Sequence, residues 1–327
     1  MSAANGRYLP DFKNKTTLVV ISAAVIMSAV MGIRQTFGLF IGPFSFDRGV
    51  PVTFVAFAIA LHNLVWGFAQ PVAGAAADRY GCAPVVAFGA IAYAAGLALA
   101  AVAPSGAMLV LGMGLLVGIG ISCTSFGVAM AAVGRVASAE KRSMAMGLAS
   151  AGGSLGQVLL VPLAQTITAT SGVSASLLVF ALLMLMAAPF GIILDRREPG
   201  AAPLQEPPAS PLIEVVVQAC RHRGYRLLTV GFFACGFQLA FIATHLPGYL
   251  SLCHMPIGLG ATALALIGFF NMAGSWACGW LGGRFHQQYV LAWLYLIRSI
   301  TIGAFLLLPK TGFFYRRPAP RLSSSRL

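Results

Sequence analysis

Residues 71–84 read PVAGAAADRYGCAP, and an Asp–Arg pair, Asp78 and Arg79, stands there between two long apolar runs. Two adjacent charges are conspicuous in this chain. Its charged residues make up 9%, against about 25% in ordinary soluble domains. Only eight carboxylates serve 327 residues, hydrophobic types reach 58%, and the mean hydropathy is +0.85. A water-facing surface cannot be assembled from that supply, so lipid must cover most of the outside.

A bilayer core asks for about 20 apolar residues per helix. Nine runs meet that length: 17–43, 52–73, 84–103, 107–133, 143–168, 173–194, 225–251, 257–281 and 289–308. Pro51, Pro84 and Pro104 with Gly106 punctuate the breaks, as helix boundaries do. The first run is too long for a signal-peptide core and is kept as a span. The segment 195–224, rich in Pro and charge, reads as a cytoplasmic linker. It separates a six-span half, 17–194, from a three-span half, 225–308, with an N-terminal arm over 1–16 and a basic tail over 309–327. The expected fold is an all-α multi-pass membrane bundle.

Direction follows from Lys and Arg in the loops. With the N-terminus in the cytoplasm, the inner segments hold thirteen of them, and the outer loops before span nine hold one, Arg48. The net charge of +13 is spread through these short loops, which suits anionic headgroups and not nucleic acid. The six cysteines form no CxxC pair and lie mostly in apolar runs, so they read as packing residues. The tail breaks the charge rule. It should lie outside after nine spans, yet it carries Lys310, Arg316, Arg317, Arg321 and Arg326. It reads either as a tolerated exposed tail or as the truncated or frame-shifted end of a longer chain.

An internal repeat favours the longer chain. Gly32, Phe37 and Pro43 in 32-GIRQTFGLFIGP-43 match Gly236, Phe241 and Pro247 in 236-GFQLAFIATHLP-247 at an offset of 204. Gly74, Asp78 and Arg79 fall on Gly279, Gly283 and Arg284 at an offset of 205. Two separate features with one period mark a duplicated membrane unit. A second unit as long as the first would make twelve spans.

The pattern G-x-x-x-D-R-x-G over Gly74–Gly81 resembles the signature loop of the major facilitator superfamily, whose architecture is six plus six spans around a central cytoplasmic loop. The texts GFFACGFQLAFIATHLPGYL (231–250) and GWLGGRF (279–285) resemble its bacterial branch of monocarboxylate and oxalate/formate carriers. That resemblance implies a secondary transporter in a bacterial inner membrane. By it, Gly74, Asp78, Arg79 and Gly81, with Gly279 and Arg284, form a latch between access states. Asp78 would meet the positive N-terminal end of a neighbouring helix, and Gly74 would allow helices to approach. A solvated loop obeying the charge rule is the plainer reading. The chain departs from the pattern where Cys82 and Ala83 follow Gly81, where Gly283 replaces Asp, and where 268-GFFNMAGSW-276 offers Asn271 and Ser275 in place of an Asp and an Arg. The coupled species, a proton or a counter-anion, stays open.

No carboxylate falls inside a span away from its ends, which leaves Arg34, His62, His245 and Arg298 as intramembrane ionisable groups. Such an Arg costs about 2.5–3.5 kcal/mol on insertion scales and persists only against protein, water or an anion. Arg34 is the first candidate for holding an organic anion, and the 204 offset pairs it with Gln238. Its alternative is to snorkel to the outer headgroups. His62 with Asn63 is a solute contact or a proton acceptor, or else a core histidine satisfied by a carbonyl. His245 lines an outer gate or bonds carbonyls freed by Pro247. Arg298 is a weaker candidate, with backbone carbonyls as its alternative. Gly152–Gly156 fits G-x-S-x-G, but without the strand–turn–helix that a hydrolase needs. No HExxH, P-loop or zinc spacing occurs, so neither an enzyme nor a cofactor is expected, and gradients would supply the energy. The expected partners are a small solute and lipid. The alternative function is a non-transporting fragment that only binds partners.

Overall fold

The computed structural model describes residues 15–195, 212–252 and 257–307. Residues 1–14 of the expected arm, most of the linker and the basic tail lie outside the described residues. Among those described there is no strand, and helices fall on all nine apolar runs. The protein is an all-α membrane protein.

Helix α1 is Lys15–Gln35, prolonged by a 3-10 turn at Phe37–Phe40 and a last helical turn to Phe46. Helix α2 is Val52–Tyr80 and α3 is Cys82–Ala101. Helix α4 runs over Gly106–Val136. It widens to π geometry at Val110–Leu116 and breaks at Ser125, whose backbone is extended (φ −97°, ψ −158°). The stretch Arg142–Leu194 is 53 residues long, about 80 Å if straight, far more than a bilayer core. Gly172, at φ +82°, reverses it, giving α5 (142–171) and α6 (173–194). After them come α7 (Leu212–Arg221), α8 (Arg223–Leu252), α9 (Ile257–Gly282) and α10 (Gln287–Leu307). The sequence reading placed α7 inside the linker; residues 212–221 are helical there. One compact unit extends to Gly283, and α10 lies in a second, Arg284–Leu327.

Helices in lipid approach through small residues, because lipid offers no hydrophobic push between them. Helices α1 and α5 run parallel, with Ala24, Ser28 and Gly32 against Gly152, Gly156 and Leu160. A Cβ on Gly32 would lie 2.6 Å from the Gly156 carbonyl oxygen, and a Cβ on Gly156 would overlap the Ser28 carbonyl. The G-x-S-x-G pattern is therefore a packing stripe. The glycines of 112-GMGLLVGIG-120 divide between two neighbours. Gly112 and Gly120 meet α3 at Gly96, Gly89 and Tyr93, while Gly114 and Gly118 meet α2 at Leu61 and Val65.

Two crossings bring α8 and α9 onto the first six spans. Gly38 packs against Ala243 and Thr244, so α1 meets α8 where the 204 offset nearly superposes them. Helix α9 runs antiparallel to α5. Gly147 touches Gly279, Ser150 Oγ bonds Ser275 Oγ at 3.3 Å, and Gly268 packs on Gln157. Large apolar side chains such as Phe57, Phe68, Phe233 and Trp276 are exposed around the bundle, as a lipid-facing surface requires.

Replacing Gly156 with Val should cost about 3 kcal/mol or prevent folding, because carbonyl backbone cannot yield. Gly236→Ala, where a Cβ meets nothing within 4 Å, should stay within about 1 kcal/mol. Thermal unfolding in detergent micelles checks both.

Candidate functional site

Arg34 lies about 28 Å from the start of α1 and about 20 Å from the end of its continuation, at helical rise. It occupies the last turn of the first α segment, next to carbonyls that favour a positive charge. The tightening there is local: Thr36 Oγ1 donates to the Ile33 carbonyl at 2.7 Å, and the 3-10 turn begins at Phe37. Arg34 is half-buried and does not reach outward as a snorkelling side chain would. Its Nη2 donates to Asn63 Oδ1 at 3.0 Å, and its guanidinium carbon sits 5.1 Å from the centre of the Trp66 ring. Both partners belong to α2. Its Nε has no hydrogen-bond partner among the described residues.

The partners of Arg34 are themselves held. Asn63 Nδ2 donates to the Ile59 carbonyl at 2.8 Å, which turns its oxygen toward the guanidinium. Trp66 Nε1 donates to Gln70 Oε1 at 2.6 Å and to Ser125 Oγ at 2.9 Å, and Ser125 Oγ also donates to Gln70 Oε1 at 3.2 Å. Ser125 is the residue at which α4 breaks. A continuous polar chain thus runs from α1 through α2 to the α4 break. Sequence reading missed Trp66, Gln70 and Ser125. The signal was available: Asn63, Trp66 and Gln70 fall at i, i+3 and i+7, one face of an otherwise apolar helix.

The other candidates separate. His62 is buried, its ring edge-on to Phe37 with centroids 5.3 Å apart. Neither ring nitrogen has a partner among the described residues, so the carbonyl expected to satisfy it is not found. Gln35 and Gln157 are likewise buried with unpartnered amide atoms, and the sequence reading passed over them. Gln238 is half-buried on α8, and no hydrogen bond joins it to Arg34 among the described residues. His245 is exposed, with its ring tilted over Phe241 at 4.8 Å. Arg298 is half-buried on α10.

The signature loop is a tight turn at one end of the bundle. Gly81 sits at φ +93°, which a side chain would rarely adopt, and links α2 directly to α3. The positive end of α3 is met by Asp195, from the end of α6, and not by Asp78. Its Oδ2 accepts from Ala83 N at 2.7 Å and its Oδ1 from Cys82 N. Asp78, in the last turn of its own helix, is flanked by carbonyls and points to a cation. It pairs with Arg135 of α4 at 3.2 Å, and Arg135 Nη2 also donates to Cys82 Sγ at 2.8 Å. A Cβ on Gly74 would meet nothing within 4 Å, so the expected close approach is not there. The close approach belongs instead to Gly279, on Gly147, with Ser143 Oγ donating to the Gly279 carbonyl at 3.1 Å. Arg79 is exposed and lies over Tyr80 at 5.3 Å, and Arg284 is exposed just after α9.

The opposite end of α3 is also met by a charge. Arg48 donates to the Ala100 carbonyl at 3.3 Å and to the Ala101 carbonyl at 2.6 Å, and it bonds Ser174 of α6. Arg48 is thereby a helix cap.

The helical spans cross through small residues, and a Gly-Asp-Arg-Gly loop lies between α2 and α3. Comparison with known proteins identifies the family. Residues 17–315 match the model of the Major Facilitator Superfamily, and the chain belongs to that family. It is 30% identical over 271 residues to human Monocarboxylate transporter 11, covering 82% of this chain and 56% of that protein. It is 28% identical over 267 residues to bovine Monocarboxylate transporter 13, covering 81% of this chain and 61% of that protein. With rat Monocarboxylate transporter 3 it shares 27% over 295 residues, 86% of this chain and 59% of that protein. The chain spans less than two thirds of the length of these relatives.

Asp195→Ala orphans two N–H groups at a helix start and should lower stability by about 1–2 kcal/mol. Asp78→Asn breaks a solvent-screened pair and should change it by no more than about 0.5 kcal/mol. Scanning fluorimetry of the purified variants separates the two.

Proposed function

We propose that the chain is a secondary carrier that moves a small organic anion, a monocarboxylate by class, through alternating access. The observation that carries this reading is the state of Arg34. It is a guanidinium at membrane depth whose hydrogen-bond acceptor is a neutral amide and whose Nε is unpartnered among the described residues. A charge so placed is costly. A carboxylate would supply the missing negative charge and accept two parallel hydrogen bonds from the planar fork. The names of the monocarboxylate transporters it resembles support the carboxylate class. Asn63 is the candidate next to the solute, because it already touches Arg34. Gln238, His62 and His245 are the further lining candidates. No nucleotide-binding motif supplies energy, so transport runs on gradients, with a proton or a counter-anion as the coupled species.

In this reading the end of the bundle bearing Lys15, Arg79, Arg135 and Arg142 faces the cytoplasm of a bacterial inner membrane. The latch is the Gly81 turn with the Asp78–Arg135 pair, which ties α2 to α4 beside the capped start of α3. Arg79, Gly74 and Gly279 take part as flanking residues, the last through the α5–α9 crossing.

Uptake of radiolabelled pyruvate, lactate and formate into proteoliposomes tests the assignment. Arg34→Gln should abolish uptake of whichever carboxylate is carried. Arg34→Lys, with its charge but without the fork, should raise KM about tenfold. Undiminished uptake by the Gln variant would overturn the assignment.

A further inference from the structure

We propose that Trp66 is the positioning residue of the anion site: its ring holds the Arg34 guanidinium, and its indole N–H ties that guanidinium to the break in α4 at Ser125. The inference rests on the reading of Arg34 as the anion-binding group. Three observations carry it. Trp66 stands at the midpoint of α2, fourteen residues from each end, with the guanidinium carbon 5.1 Å from its ring centre. Its N–H is shared between Gln70 Oε1 at 2.6 Å and Ser125 Oγ at 2.9 Å, so the ring cannot turn without breaking both bonds. Ser125 lies where the α4 backbone leaves helical geometry, and its hydroxyl closes a triangle on Gln70 at 3.2 Å.

The physical consequence is preorganisation. An arginine side chain has several rotatable bonds, and freezing them on binding costs affinity. A guanidinium over an indole face is attracted by the ring's negative quadrupole, most strongly where water is scarce. The face leaves the guanidinium edge free to donate, which is the edge a carboxylate needs. Trp66 therefore sets how well Arg34 is aimed without itself bonding the anion. Because its tether ends at Ser125, the Phe126–Val136 segment of α4 and the site share one set of hydrogen bonds, and movement of that segment changes the aim.

The test uses the full chain in proteoliposomes and in micelles. Uptake of radiolabelled pyruvate gives KM and Vmax. Modification by phenylglyoxal, followed at the Arg34 peptide by mass spectrometry, reports how tightly the guanidinium is held. Trp66→Leu removes face and N–H, and should raise KM about tenfold with Vmax little changed. It should also speed Arg34 modification at least threefold or so on the same grounds. Trp66→Phe keeps a face and should recover part of both effects. Ser125→Ala cuts one end of the tether, so Trp66→Phe combined with Ser125→Ala should be no worse than the more severe single change. Modification of exposed Arg79 and Arg142 controls for reagent reactivity, thermal unfolding in micelles reports folding, and the milder Phe and Ala variants decide the matter if the Leu variant unfolds. If the variants leave the Arg34 modification rate unchanged, or if their effects simply add, the inference falls. If the wild-type chain carries no carboxylate, the anion reading fails by itself, and the modification rates still decide whether Trp66 holds Arg34.

Discussion

The approach of α1 to α5 through Ala24, Ser28 and Gly32 against Gly152 and Gly156 is the contact on which the site depends. Backbone meets backbone there, so no side chain can shift to absorb a change. With α1 fixed there, Arg34 meets Asn63 and Trp66 of α2. The same α5 carries the other half of the constraint. Its opposite edge packs on α9 through Gly147, Ser150 and Gln157, so one helix joins the arginine-bearing span to the later spans. Small residues make such crossings close and smooth.

Scarcity of charge shapes the rest. Where charged residues are few, several of those at the helix ends have partners that explain them. Asp195 and Arg48 close the two ends of α3 with the sign that the helix dipole favours at each. Arg135 holds both Asp78 and the Cys82 sulfur, which draws the ends of α2, α3 and α4 together around the Gly81 turn. Arg34 differs from these. Its contacts are an amide and an aromatic face, which orient a charge without cancelling it.

Much of this was legible in the sequence. Run lengths set the helices because hydrocarbon thickness sets the length of a span. The Gly-rich stretches announced close packing, and the positive φ at Gly81 agrees with its place between two helices. The partner of Asp78 was not legible. Its position in a helix's last turn turns it away from a helix start, and the residue that meets that start, Asp195, comes from the far end of the six-span segment. Trp66, Gln70 and Ser125 escaped because aromatic and small polar residues are ordinary in membrane helices. Only their convergence from two helices marks them.

The sequence by itself determined that the chain crosses a membrane, how often its helices recur, and that a rare intramembrane arginine needs a reason. These follow from composition and period, which are properties of the linear chain. The tertiary structure decided which groups face one another: Asp195 under α3, Gly279 on Gly147, Trp66 between Arg34 and Ser125. Partner choice in a bundle depends on how helices are rotated about their axes, and that rotation is fixed only when small residues on one helix find the backbone of the next.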